Sequence, residues 1–212
     1  MINQIAVILF GVTILYIATT SRISAFVIIL SVQGIMLFLA SIAQTETLKL
    51  THALFIAFET IVVKAAILPL FIRHIIKTMG IKRETDPSLG SFMMLVLSTI
   101  IMSLSFVLSS ILKQAGSNIN VLNFSVSLSA VIIGMLIITT RKKIISHVMG
   151  FLVLENGAFM MSLSLAPGVP IVVEAGVLFD VMIVVFLMGI FVNNMKSAFE
   201  DSDVSKLTRL SD

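Results

Sequence analysis

Apolar residues run along this chain in blocks of about twenty, and short polar clusters separate them. The blocks fall at about residues 3–20, 23–44, 50–73, 90–112, 120–140, 144–166 and 170–195. A helix rising about 1.5 Å per residue needs about 20 residues to cross about 30 Å of hydrocarbon, and a chain in lipid must satisfy its own backbone hydrogen bonds. Each block is therefore predicted as a membrane-spanning helix. A membrane barrel would instead show short alternating segments. The breaks carry turn chemistry: Thr19-Thr20-Ser21-Arg22, Gln44-Thr45-Glu46-Thr47, Gln114-Ala115-Gly116-Ser117, Arg141-Lys142-Lys143 and Pro167-Gly168-Val169-Pro170. A longer polar stretch, Lys77 to Gly90 with Asp86-Pro87 inside it, is the predicted linker off the membrane surface. The first block turns apolar almost at once, with no basic leader region, and is expected to be a span and not a cleaved signal.

The expected fold is thus all-α and polytopic, with about seven transmembrane helices. Composition agrees: 58% of the 212 residues are hydrophobic and 12% charged, against roughly 25% charged in a soluble domain. Orientation follows from loop charge. Arg22, Arg73, Lys77, Lys82, Arg83, Arg141, Lys142, Lys143, Lys196, Lys206 and Arg209 collect on one side, and Lys49 and Lys113 on the other. Cytoplasmic loops hold the excess of Lys and Arg, so the N-terminus is expected outside and the C-terminus in the cytoplasm, in a cell's inner (cytoplasmic) membrane. The formal charge of +3 is then a topology signal, and nothing points to nucleic acid. With no Cys, thiolate-held iron–sulfur or metal sites are excluded. His52, His74 and His147 lack metal-site spacing, so no cofactor or metal is expected in this chain.

A repeat is also legible. Gln33 precedes Glu59 by 26 positions and Glu155 precedes Asp180 by 25, each pair following a Thr-Thr and a basic residue. The expected organisation is an N-terminal three-helix repeat over 1–78, a cytoplasmic linker and fourth helix over 79–118, a second three-helix repeat over 119–195, and a cytoplasmic tail over 196–212. With one helix between them, the two triplets run parallel. Chance likeness of apolar helices is the alternative.

Four ionisable residues, Glu59, Lys64, Glu155 and Asp180, sit near the centres of these blocks. Each costs about 2.5–3.5 kcal/mol at a helix centre. Such groups belong to ion or proton paths, substrate counter-ions or buried pairs. Glu155 and Asp180 lie on consecutive helices, each ten to twelve residues from the Pro167–Pro170 turn, so they share a depth and can approach. They suit proton or ion handling; the alternative is hydrogen-bonding glue between helices. Glu59 and Lys64 are five apart, about 140° around a regular α-helix, and address different neighbours unless a π-bulge brings them onto one face. Lys64 either alternates between charged and neutral or is a fixed counter-ion. Pro69 predicts a kink that frees the carbonyl near Ala65. His52 and His147 are possible relays toward the two surfaces, with plain interfacial histidines as the alternative, and Glu174 is a relay or a snorkelling carboxylate.

These residues resemble a known family. The stretch Phe151 to Gly157, the run Leu165 to Pro170, Glu174 with Leu178-Phe179-Asp180, and the tail from Ser197 to Leu207 are similar to the hydrogenase-4 component E family. Its members are membrane subunits of formate-hydrogenlyase-type and related respiratory complexes. The last three helices resemble the small K subunit of complex I, which carries one membrane glutamate on its second helix and one on its third. The resemblance puts Glu155 and Asp180 at those positions, and Gln33 and Glu59 at the equivalent ones in the first half, where Gln33 departs from the pattern and Lys64 is an addition. It implies a membrane-arm subunit with no catalytic centre of its own. Proton-transfer residues would be Glu59, Lys64, Glu155 and Asp180. The implied partners are antiporter-like and anchor subunits and a peripheral hydrogenase-type arm holding nickel–iron and iron–sulfur centres. A free-standing secondary ion-coupled transporter and a structural spacer subunit are the alternatives.

Overall fold

The computed structural model describes residues 2–44, 50–78, 89–117, 119–165, 176 and 180–189. Every element among them is helical. We label them α1 (Ile2–Thr19), α2 (Ile23–Gln44), α3 (residues 50–78), α4 (Ser91–Gln114), α5 (Val121–Thr140), α6 (Ile144–Leu165) and the shorter α7 (Asp180–Gly189). The first six are long and apolar enough to cross a membrane. Of the seventh block, expected over 170–195, the described part is Gly176 and α7. Outward-facing positions such as Val12, Leu104 and Val185 are apolar and more than half exposed, as lipid-facing side chains would be.

Small residues bring the helices together. Between lipid-embedded helices there is no hydrophobic gain from association, so close backbone approach and hydrogen bonds hold the contact. The most extensive contact is between α5 and α6. A Cβ on Gly134 would stand 2.7 Å from the backbone nitrogen of Leu154, and one on Gly157 would stand 2.7 Å from the Ala130 Cβ. Around this pair, α1 packs on α2, α4 and α5, and α2 packs on α1, α3 and α6. Helices α1 and α2 therefore meet α5 and α6 in the bundle. Helix α4 lies at the edge. Its buried residues are Met94, Ser98, Ser105 and Ser109, and the Ser125 hydroxyl donates to the Ser109 hydroxyl at 2.8 Å.

Helix α3 departs from regular geometry. It runs as α-helix over Leu50–Ala57, as π-helix over Phe58–Ile67 and as α-helix again over Leu68–Thr78. The Leu68 N–H still reaches back five residues, to the Val63 carbonyl. Pro69 follows at once and has no N–H to offer. Gly34 of α2 seats against this stretch: a Cβ there would lie 2.8 Å from the Ala65 nitrogen and 2.9 Å from the Thr60 carbonyl oxygen. One loop charge is turned to structure as well. Arg141 is buried, and its Nη2 donates to the carbonyls of Ala18 at 3.1 Å and Thr20 at 2.9 Å, tying the end of α1 to the end of α5.

Candidate functional site

The ten-residue π stretch decides where the site is. In π geometry a residue and the fifth one after it share a face, so Glu59 and Lys64 turn the same way. The expectation of a regular helix, with the two side chains about 140° apart and addressing different neighbours, is corrected. The Lys64 Nζ stands 3.3 Å from Glu59 Oε1. It also donates to Glu155 Oε1 of α6 at 2.6 Å and reaches Asn156 Oδ1 at 3.5 Å. The Phe159 ring lies 5.6 Å from the ammonium, within cation–π range.

Asp180 completes the group from α7. One oxygen each of Glu59, Glu155 and Asp180 lies within 4.8 Å of the others. All four residues are withdrawn from the surface, at 0% exposure for Glu59, 4% for Lys64, 5% for Glu155 and 1% for Asp180. The structure thus unites the four mid-span ionisable residues that the sequence singled out. Glu59 is an ion-pair neighbour of Lys64. Both its oxygens, Glu155 Oε2 and both Asp180 oxygens are buried with no hydrogen-bond donor among the described residues.

Among the described residues the charges of this group do not balance. Three carboxylates and one ammonium carry −2 if all are ionised. Two unit charges 4.8 Å apart repel by about 3.5 kcal/mol at an effective dielectric of about 20. Neutrality requires two more positive charges, as protons or as a cation. Three converging carboxylate oxygens are suitable ligands for a hard cation. Lys64 occupies the side of that set nearest Glu155, so an entering cation competes with its ammonium. Protons face no such competition: a proton on any carboxyl turns an orphaned acceptor into a donor for its neighbour.

Residues beyond the expected set hold this group in place. Asn156 Nδ2 donates to Gln33 Oε1 at 3.1 Å, Gln33 Nε2 donates to the Thr13 hydroxyl at 3.1 Å, and that hydroxyl donates to the Phe10 carbonyl at 2.6 Å. Each donor fixes the orientation of the next amide, so Asn156 presents its oxygen to Lys64. Gly176 forms the wall on the other side. A Cβ there would lie 3.2 Å from Glu155 Oε1 and 3.3 Å from Glu59 Oε1, so even an alanine would press on two carboxylates.

His147 lies apart from this group, about two helical turns from Glu155. Its Nε2 pairs with the Arg141 carbonyl at 2.5 Å, and it lines an apolar groove of about 310 Å³ with Phe151 and Phe186. The side chain of His52 and all of Glu174 lie outside the described residues.

No protein-family model matches the chain, and no solved structure matches it. It is similar to "Uncharacterized protein Rv0085" of Mycobacterium tuberculosis, with 26% identity over 158 residues that cover 74% of this chain and 72% of that protein.

Proposed function

We propose that this chain is a membrane-arm subunit of a hydrogenase- or complex-I-like respiratory complex and that Glu59, Lys64, Glu155 and Asp180 form one station for redox-driven transfer of protons or sodium. The observation that carries the reading is the imbalance of the cluster: among the described residues one ammonium faces three buried carboxylates, and five carboxylate oxygens have no hydrogen-bond donor. A purely structural group would be expected to pair its charges, because each buried unpaired charge costs several kcal/mol. A group that must gain and lose protons benefits from spare acceptors.

The chemistry follows from the distances. With Glu155 ionised, its 2.6 Å contact holds the ammonium. A proton delivered to Glu155 removes that attraction and leaves Nζ near Glu59 at 3.3 Å and Asn156 at 3.5 Å. Protonation of Glu155 and displacement of Lys64 are thereby coupled. Asp180 is the neighbouring acceptor through which the proton leaves. The subunit has seven spans, with its N-terminus outside and its C-terminus cytoplasmic, in the inner membrane. Electron-carrying centres belong to the peripheral arm, and antiporter-like and anchor subunits flank this chain.

The hydrogenase setting rests on the resemblance to the component E family. It is tested by purifying the chain from its native host in mild detergent and identifying what co-migrates. Antiporter-like and hydrogenase-type subunits are expected. A chain that migrates alone and restores ion transport in liposomes by itself would instead be a secondary transporter.

A further inference from the structure

Among the described residues, two adjoining spaces beside α3 lead toward the cluster. Between α2 and α3 lies a groove of about 330 Å³ whose polar lining is Ser24, Ser31 and Arg73 and whose remaining lining is apolar, including Ala65, Ala66 and Pro69. On the other side of Pro69 lies a cavity of about 10 Å³ walled by Leu30, Leu68, Leu152, Lys64 and Asn156. That is about the room one water molecule needs. The two spaces share Pro69 as a wall, and Leu30 and Ser31 are neighbours on α2. From Arg73 to Lys64 is nine residues, about 13 Å of helix.

Three polar side chains mark a groove whose lining is otherwise apolar. Arg73 and Ser24 are exposed, and Ser31 is half-buried. The polar residues lining the cavity are Lys64 and Asn156. Pro69 cannot donate to the carbonyl one turn before it, so a further acceptor is freed near the cavity. A buried water needs two to four such partners. The short side chains of Ala65 and Ala66 keep the groove open, and Gly34 and the π stretch fix the separation of the two helices that form it.

We propose that the α2/α3 groove and the Pro69 cavity are a hydrated half-channel that gives Lys64 access to the membrane face bearing Arg73. What it carries, protons to and from the cluster, rests on the function proposed above, but the path itself is open to test without turnover. The chain contains no cysteine, so single cysteines report cleanly. Ser24→Cys, Ser31→Cys and the lipid-facing controls Val12→Cys and Leu104→Cys are made in the intact complex in native membranes. Each is exposed to a membrane-impermeant cationic methanethiosulfonate, in right-side-out and in inverted vesicles. Ser24→Cys and Ser31→Cys are expected to react at least tenfold faster than both controls, and from the Arg73 face only. Ala66→Trp, which fills the groove, is expected to slow the Ser31→Cys reaction at least tenfold and to reduce coupled translocation to a similar degree. Reaction of Ser31→Cys no faster than the controls, or equally from both faces, would overturn the path, as a lipid-filled groove behaves. Translocation at the wild-type rate in Ala66→Trp, with Ser31→Cys blocked, would overturn its role as the cluster's access route. Loss of the ion-handling reading has a different signature: Ser31→Cys still reacts, but amide variants of the carboxylates translocate normally.

Discussion

Lys64 is the residue on which the site turns, since it is the one cation among the described residues of the cluster and contacts two of the carboxylates. Its two possible roles separate by substitution. Arginine keeps the charge and does not deprotonate in proteins, whereas lysine changes charge readily when buried. Lys64→Arg is expected to leave the yield of assembled complex close to wild type and to lower coupled ion translocation more than tenfold. Lys64→Met is expected to abolish coupling and also to reduce yield, because the carboxylates lose their counter-charge. Yield and vesicle translocation, measured on the same preparations, check both. Full translocation by Lys64→Arg would make the lysine a fixed counter-ion. At this scale the sequence was informative where desolvation is expensive: four charges in apolar blocks stood out at once. It was silent on Thr13, because a threonine in a helix satisfies itself on a carbonyl of the preceding turn and leaves no mark of cost. Gly176 was equally hidden, since a glycine in an apolar block announces nothing about what its missing Cβ would meet.

The π stretch of α3 is the element that makes the cluster, and Gly34 is its complement on α2. The separation of Glu59 from Lys64 by five residues is the signal for π geometry, but local sequence does not choose it over a regular helix. That choice is made by the tertiary contacts. The ammonium gains Glu155 and Asn156 on α6 only if the helix turns by the wider step, and Gly34 allows the α2 backbone to close on Thr60 and Ala65. A methyl group at Gly34 meets backbone atoms at 2.8 and 2.9 Å, which cannot rotate away. Gly34→Ala is therefore expected to destabilise the protein by about 1–3 kcal/mol, the usual range for overpacking, and to loosen the Gln33–Asn156 bond beside it. Gly90→Ala, at an open position with φ of −64°, is the neutral control. Thermal unfolding of the two purified variants in detergent gives the comparison. Equal midpoints would mean that α2 and α3 are not held by this contact.

For the molecule as a whole, the block pattern was enough to recover six long helices within a few residues, because membrane thickness sets their length independently of packing. Which helix touches which was not legible, since apolar blocks look alike and the contacts depend on small residues such as Gly134 and Gly157 whose partners are distant in the chain. Orientation rests on loop charge. Arg141 shows that one such charge also has a structural use, as it caps α1. A reporter fused after Asp212 is expected in the cytoplasm and one inserted between Gln114 and Asn118 outside. Both on one side would reject seven spans. The charges of α3, α6 and α7 converge in one buried group, and amide substitution tests whether that group titrates. Glu155→Gln with Asp180→Asn preserves size and hydrogen-bonding capacity while removing both titrating groups. In sealed vesicles carrying the assembled complex, turnover of this double variant is expected to build an ion gradient less than a tenth of the wild-type one. A gradient of wild-type size at the same turnover would contradict the relay and leave the two acids as structural residues.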